Sequence, residues 1–142
     1  MESKSRRPLV RNKYELLAIS PDTRFLASVL FRAGAYGWTV QWARSIGAAG
    51  VLSAGRSVPV VIYDCCSAAD DWSESIAHLK LAFHDSCLIM AARVVSEELW
   101  QKALARGVYD VVSRSDNGDH LAAMVRFAFD WRAARPLAGQ RA

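Results

Sequence analysis

Two uninterrupted apolar runs limit the folds open to this chain more than any other feature. They are VPVVIYD (Val58 to Asp64) and CLIMAA (Cys87 to Ala92). Both are too short for a typical helix, and their lack of polar alternation fits strands covered on both faces, as in a parallel sheet. Pro59 belongs at the start of its run, before the hydrogen-bond ladder forms.

These runs belong to an alternation that occurs five times. YELLAIS (Tyr14 to Ser20) predicts a first strand. Ser20 is then expected to cap a helix with Pro21 at its first position, where a missing N–H costs nothing. Leu26, Val29, Leu30 and Ala33 would share the inner face of that helix, and Gly34 would stop it. WTVQWA (Trp38 to Ala43) predicts the second strand, and the small residues 45–54 give only a faint helical signal. After the Val58–Asp64 strand, Trp72 to His84 predict a helix with Ile76, Leu79 and Phe83 inward. Beyond Cys87–Ala92, Ser96 caps a helix whose Glu97 and Glu98 suit its positive end. Its apolar face would be Leu99, Trp100, Ala103 and Leu104, and Gly107 would stop it. YDVVS (Tyr109 to Ser113) predicts the fifth strand. Asp116 or Asn117 would cap a last helix carrying Leu121, Met124, Val125 and Ala128.

Five strand–helix units with short links predict an α/β fold. It would be a doubly wound five-stranded parallel sheet in the order 2-1-3-4-5, with helices on both faces. The domain would occupy residues 14–132, flanked by disordered tails at 1–13 and 133–142. In such sheets a site forms beyond the carboxyl ends of the strands. The residues there are Ser20-Pro21-Asp22, Asp64-Cys65-Cys66, Ala91-Ala92-Arg93 and Ser113-Arg114-Ser115. Asp64 stands out, because a carboxylate ending a buried strand is costly without a partner or a task.

Charge and cysteine content narrow the function classes. The chain of 142 residues carries a net charge of +4. Residues 1–13 hold a net +4 and residues 132–142 a net +3, which leaves −3 for the middle. The basic balance therefore sits in the tails and not on a folded nucleic-acid-binding face. No helix-turn-helix segment remains once five units are assigned. There is no apolar stretch of membrane-spanning length and no secretion signal, so a cytoplasmic protein is expected. Three cysteines (Cys65, Cys66 and Cys87) form no disulfide framework, and no Cys/His spacing matches a zinc site. His78, His84 and His120 fall away from the strand ends, so an enzyme is not expected.

VPVVIYD followed by a loop and a helix is similar to the receiver-domain strand that ends in a phospho-accepting aspartate. LIMAAR and SEELWQKALARGVYDVVSRS resemble the segments that follow in the same family. ALARGVYDVV is the most specific piece, because receivers commonly carry an AL..GA.DY pattern there. The chain thus resembles the response regulator receiver family (flavodoxin-like, CheY-like) over about residues 14–131.

The resemblance implies Asp64 as phospho-acceptor and a divalent cation held by acidic residues. Here the acidic pair expected after the first strand is reduced to Asp22, and the sequence leaves open whether Asp22 faces outward or reaches Asp64. Asp22, Asp64 and the carbonyl of Cys66 would make a weak magnesium site. The hydroxyl expected after the fourth strand falls at Ala91, next to Ala92. The expected lysine falls at Arg114, a charged fork able to contact phosphate but not equivalent to lysine. The following proline is Ser115. The switch aromatic falls at Val111, with Tyr109 expected on the same face.

These departures imply a stand-alone pseudo-receiver of a two-component or phosphorelay system. It would act through protein–protein contacts, with phosphorylation absent or atypical. The partner would be a sensor kinase or other signalling protein, or a second copy through the last two helices, where Trp100 and Trp131 lie. Most of the five tryptophans, Trp38, Trp42, Trp72, Trp100 and Trp131, are expected to pack in the core or between helices. A working receiver using Asp64 is the alternative reading. A thiol or metal-responsive module at Cys65-Cys66 is a more remote one. A flavodoxin-type cofactor site would need a phosphate loop that SPDTR does not supply.

Overall fold

The computed structural model describes residues 13–53, 57–65, 72–114 and 118–135. Of the tails expected at 1–13 and 133–142, residues 1–12 and 136–142 lie outside the described residues, as do Cys66, Ser115, Asp116 and Asn117. Five strands alternate with five helices. They are β1 (Glu15–Ile19), α1 (Thr23–Tyr36), β2 (Thr39–Ala43), α2 (Ile46–Leu52) and β3 (Val60–Asp64). They continue as α3 (Trp72–Ala82), β4 (Cys87–Ala92), α4 (Glu97–Ala105), β5 (Asp110–Ser113) and α5 (Asp119–Ala133). All strand pairs are parallel, in the order β2-β1-β3-β4-β5, as the alternation predicts.

The three central strands are buried along their whole length. Alternate residues feed two cores. Leu17, Ile19, Val61, Tyr63, Leu88 and Met90 pack on one face, with Ile76, Leu79 and Ala103. Leu16, Ala18, Val60, Ile62 and Ile89 pack on the other, with Leu26, Val29, Val125 and Phe129. Burying each large side chain contributes about 1.5–3 kcal/mol, so a sheet filled on both faces holds without a disulfide. Both described cysteines, Cys65 and Cys87, are free thiols and buried. Among the described residues, no helix is long and apolar enough to cross a membrane.

Several local expectations need correction. The first helix is capped by Asp22, which accepts from the Arg24 N–H at 2.9 Å, and not by Ser20. It runs past Gly34 to Tyr36 and stops at Gly37, whose φ of 76° is the left-handed conformation glycine adopts at least cost. Phe25 joins Leu26, Val29 and Ala33 on the buried face of α1, whereas Leu30, expected there, is exposed. The second helix forms with Ser45 as its cap, and α3 ends at Ala82 rather than His84. Trp100 turns outward from α4 and donates its Nε1–H to Asp110 at 2.9 Å. Gly118, at φ 97°, occupies the cap position of α5 that was expected of Asp116 or Asn117.

Tyr109 does not share a face with Val111. Val111 packs with the Leu17–Met90 core, whereas Tyr109 packs with the other core and meets the Trp131 ring at 5.7 Å. The reason is that Tyr109 precedes β5, so strand alternation does not govern it.

Candidate functional site

The carboxyl ends of β1, β3 and β4 meet at the middle of the sheet. Asp64 is the last residue of β3 and is only 3% exposed. Its main chain lies in register with Ala91 of β4. The N–H of Cys65 donates to the Ala91 carbonyl at 2.9 Å, which carries the ladder one residue past the strand. Asp64 is thus held in a place where a bare carboxylate would be strongly disfavoured.

Ser20 and Arg114 answer that charge. Ser20 follows β1 and is fully buried; its Oγ–H donates to Asp64 Oδ2 at 2.6 Å. The same Oγ accepts the Asp22 N–H at 3.0 Å, so one hydroxyl ties the β1 turn to β3. Arg114 follows β5 and is anchored by its own N–H to the Ala92 carbonyl at 2.8 Å. Its Nη1 lies 3.6 Å from Asp64 Oδ2, and its Nη2 bonds directly to Asp22 Oδ2. The guanidinium also lies 5.4 Å from the centre of the Phe25 ring, a cation–π distance that holds it over the start of α1.

Asp22 therefore turns toward Arg114, which answers the orientation that the sequence left open. The Arg114 guanidinium bonded to it, and then the Arg24 N–H, hold its carboxyl below the usual carboxylate range. Arg44 donates to the Pro21 carbonyl at 2.9 Å and braces the turn between them. A cavity of about 230 Å³ opens beside the group, lined by Asp22, Arg24, Phe25, Ser28, Ser113 and Arg114 among others.

The structure thus joins Asp22, Asp64 and Arg114 from three distant parts of the chain. Ala91 and Ala92 lie at the same end and contribute main-chain carbonyls, with no hydroxyl. Cys66, the remaining expected oxygen donor, lies outside the described residues. Ser20, placed at this end by the sequence but given only a capping role there, is the participant whose part in the site was missed. Its signal was its position as the first polar residue after a buried strand, which outweighs its aptitude as a helix cap.

Magnesium requires near-octahedral oxygen coordination and keeps several waters. The groups present do not fit that requirement. Asp22 Oδ1 is committed to the Arg24 N–H, Asp22 Oδ2 to Arg114, and Asp64 Oδ2 to Ser20 and Arg114. A guanidinium lies where the two carboxylates would share a cation. Among the described residues, no group of three or more His, Cys, Asp or Glu side chains is placed to hold a metal ion.

No family model matches the sequence, and no curated protein matches it. Solved structures do match. The signal receiver domain of an HD domain-containing protein from Pseudomonas fluorescens Pf-5 superposes with a TM-score of 0.75 at 20% identity, covering 87% of this chain and 100% of that one. A response regulator from Thermotoga maritima gives 0.74 at 16% identity, over 82% of this chain and 97% of that one. The beryllofluoride-activated NtrC4 receiver domain dimer gives 0.74 at 18% identity, over 84% and 98%. The fold is that of the CheY-like receiver domains of response regulators.

Proposed function

We propose that this chain is a receiver-type signalling domain that acts by contact with other proteins, with conventional phosphorylation of Asp64 absent. One observation carries the reading. The Asp64 carboxylate is already bonded to the Ser20 hydroxyl and paired with Arg114, and the strand beside it ends in alanines. A receiver switches when a phosphoryl group draws a hydroxyl and an aromatic into new positions. Ala91 has no hydroxyl to draw, and Val111 is an aliphatic residue packed in the core.

The test is intact-mass measurement after incubation with acetyl phosphate and magnesium, with Asp64→Asn as the control. No added phosphoryl group is expected, under conditions that label an ordinary receiver. An adduct on the native chain that vanishes in Asp64→Asn would overturn the reading in favour of a working receiver. The favourable observation for that second reading is Arg114, a cation close enough to Asp64 to meet a phosphoryl oxygen.

The partner we infer is a sensor kinase, another signalling protein or a second copy of this chain. Support for a surface role comes from Trp100 on α4 and Trp131 on α5, which are 40% and 41% exposed. Aromatic residues are enriched at protein interfaces. One structural neighbour, NtrC4, is a receiver domain dimer. Sedimentation of the native chain should show a concentration-dependent dimer that Trp100→Glu with Trp131→Glu abolishes. A thiol-responsive role gains nothing here, because the Cys65 side chain is buried in the core.

A further inference from the structure

The Arg114 side chain is only 15% exposed and meets Asp22, Asp64 and the Phe25 ring, while its main-chain N–H is anchored to Ala92. A guanidinium is permanently charged and presents five donors in a planar fork. Such a group can face two carboxylates at once, which a lysine ammonium does less well. Two carboxylates aimed at one point need a cation between them, because like charges there disfavour each other's ionised form. Solvent commonly supplies that cation as a hydrated metal ion. This chain carries its own.

We infer that Arg114 is a built-in replacement for a divalent cation between Asp22 and Asp64, and that removing its guanidinium uncovers a magnesium or manganese site on those two carboxylates. The inference deepens the reading above and rests on it only in taking this end of the sheet as the working end.

Both acids have a second anchor that does not depend on Arg114. Asp22 is fixed by capping α1 through the Arg24 N–H, and Asp64 is fixed by the Ser20 hydroxyl. Ser20 also receives the Asp22 N–H, which joins the two anchors. The carboxylates therefore stay near each other when the guanidinium is gone. They would then present oxygen ligands to a hard cation. While the guanidinium is in place, its donors compete directly for those oxygens. A tethered +1 charge also makes this end of the sheet indifferent to the free magnesium concentration.

The experiment is a manganese titration of the full chain without any phosphodonor, followed by calorimetry and by the paramagnetic resonance signal of the free ion. The native protein should show no saturable site through the millimolar range. Arg114→Ala should bind one ion per chain, at least about tenfold more tightly than the native chain. Adding Asp64→Asn should remove that gain. Arg114→Lys, which keeps a charge but not the fork, should bind with intermediate affinity, and it decides the matter if Arg114→Ala does not fold. A native chain that binds manganese within about twofold of a folded variant would overturn the inference. So would a folded Arg114→Ala or Arg114→Lys without gain.

Failure here is separable from failure of the functional reading. A native chain phosphorylated in the presence of a chelator would overturn that reading and leave this inference standing. A native chain that binds manganese through Asp64 and takes no phosphoryl group would do the reverse.

Discussion

The two ends of the sheet use the same kinds of side chain for different ends. At the amino end, Arg132 donates to the Asp85 carbonyl at 2.6 Å, and Lys80 to the Gly107 carbonyl at 3.3 Å. Ser86 donates to the Val58 carbonyl, and a cleft of about 350 Å³ lies among these groups. The partners of these groups are neutral main-chain oxygens, and those of the two cations lie just beyond α3 (Asp85) and just beyond α4 (Gly107), where a helix C-terminus favours positive charge. At the carboxyl end, Ser20 and Arg114 both turn to carboxylates. The difference separates architecture from charge management. A carbonyl partner closes a turn, whereas two buried or half-buried acids create an electrostatic demand that only a particular residue meets.

The comparison breaks most readily at the two arginines. Arg114→Met should destabilise the domain by about 3 kcal/mol, because it leaves Asp64 buried without its cation. Arg132→Met should cost only about 1.5 kcal/mol, the low end for a hydrogen bond with one charged partner, because it leaves behind a neutral carbonyl and no buried charge. Urea denaturation of both variants measures this, and equal losses would erase the distinction between the ends.

Next in size is Ser20→Ala, expected to cost about 2 kcal/mol because its acceptor is a carboxylate. Ser86→Ala, facing a neutral carbonyl, should cost about half as much in the same assay.

A third contrast is in pH. Burial pushes the Cys87 thiol up to about 12 from its ordinary 9.0, against weaker opposing effects of Lys80 and Arg132. The unfolded chain therefore loses this proton first. Stability should fall as pH rises above 9, by at most about 1.4 kcal/mol per pH unit from this group. Comparing Cys87→Ala with the native chain between pH 9 and 10.5 isolates that contribution, which the variant should lack.

The carboxyl end should respond in the opposite direction and more gently. Asp22 is depressed below its ordinary 3.8 by Arg114, so its contribution is present above that value and is lost as pH falls toward the lowered one. Asp22→Asn should flatten that part of the acid limb in a plot of Tm against pH. An unchanged limb would mean that the Arg114 pairing does little for the folded state.

What was legible in the sequence follows the same division. The strands could be read because Val60–Asp64 and Cys87–Ala92 are apolar at nearly every position, which is a local property. Strand order followed from connection rules, and Asp64 from its incongruity at the end of a buried run. The roles of Ser20 and Asp22 could not be assigned locally. Both are good cap residues two positions apart, and the choice between them is made by Asp64, which is 44 residues from Ser20. Likewise the inward turn of Asp22 depends on Arg114, 92 residues away. Tyr109 was misplaced because alternation was extended one residue beyond the strand that enforces it.

Those long separations have a kinetic consequence. The Ser20–Asp64 and Asp22–Arg114 contacts draw together the first, third and fifth strands' exits, so they cannot form until the sheet has assembled around β1. Contacts of such wide separation close large loops, whose entropy must be offset by earlier packing. The polar cluster then acts as a latch that sets late. Its substitutions should quicken unfolding while barely slowing folding, so that the lifetime of the native state, more than the speed of reaching it, is written into Arg114.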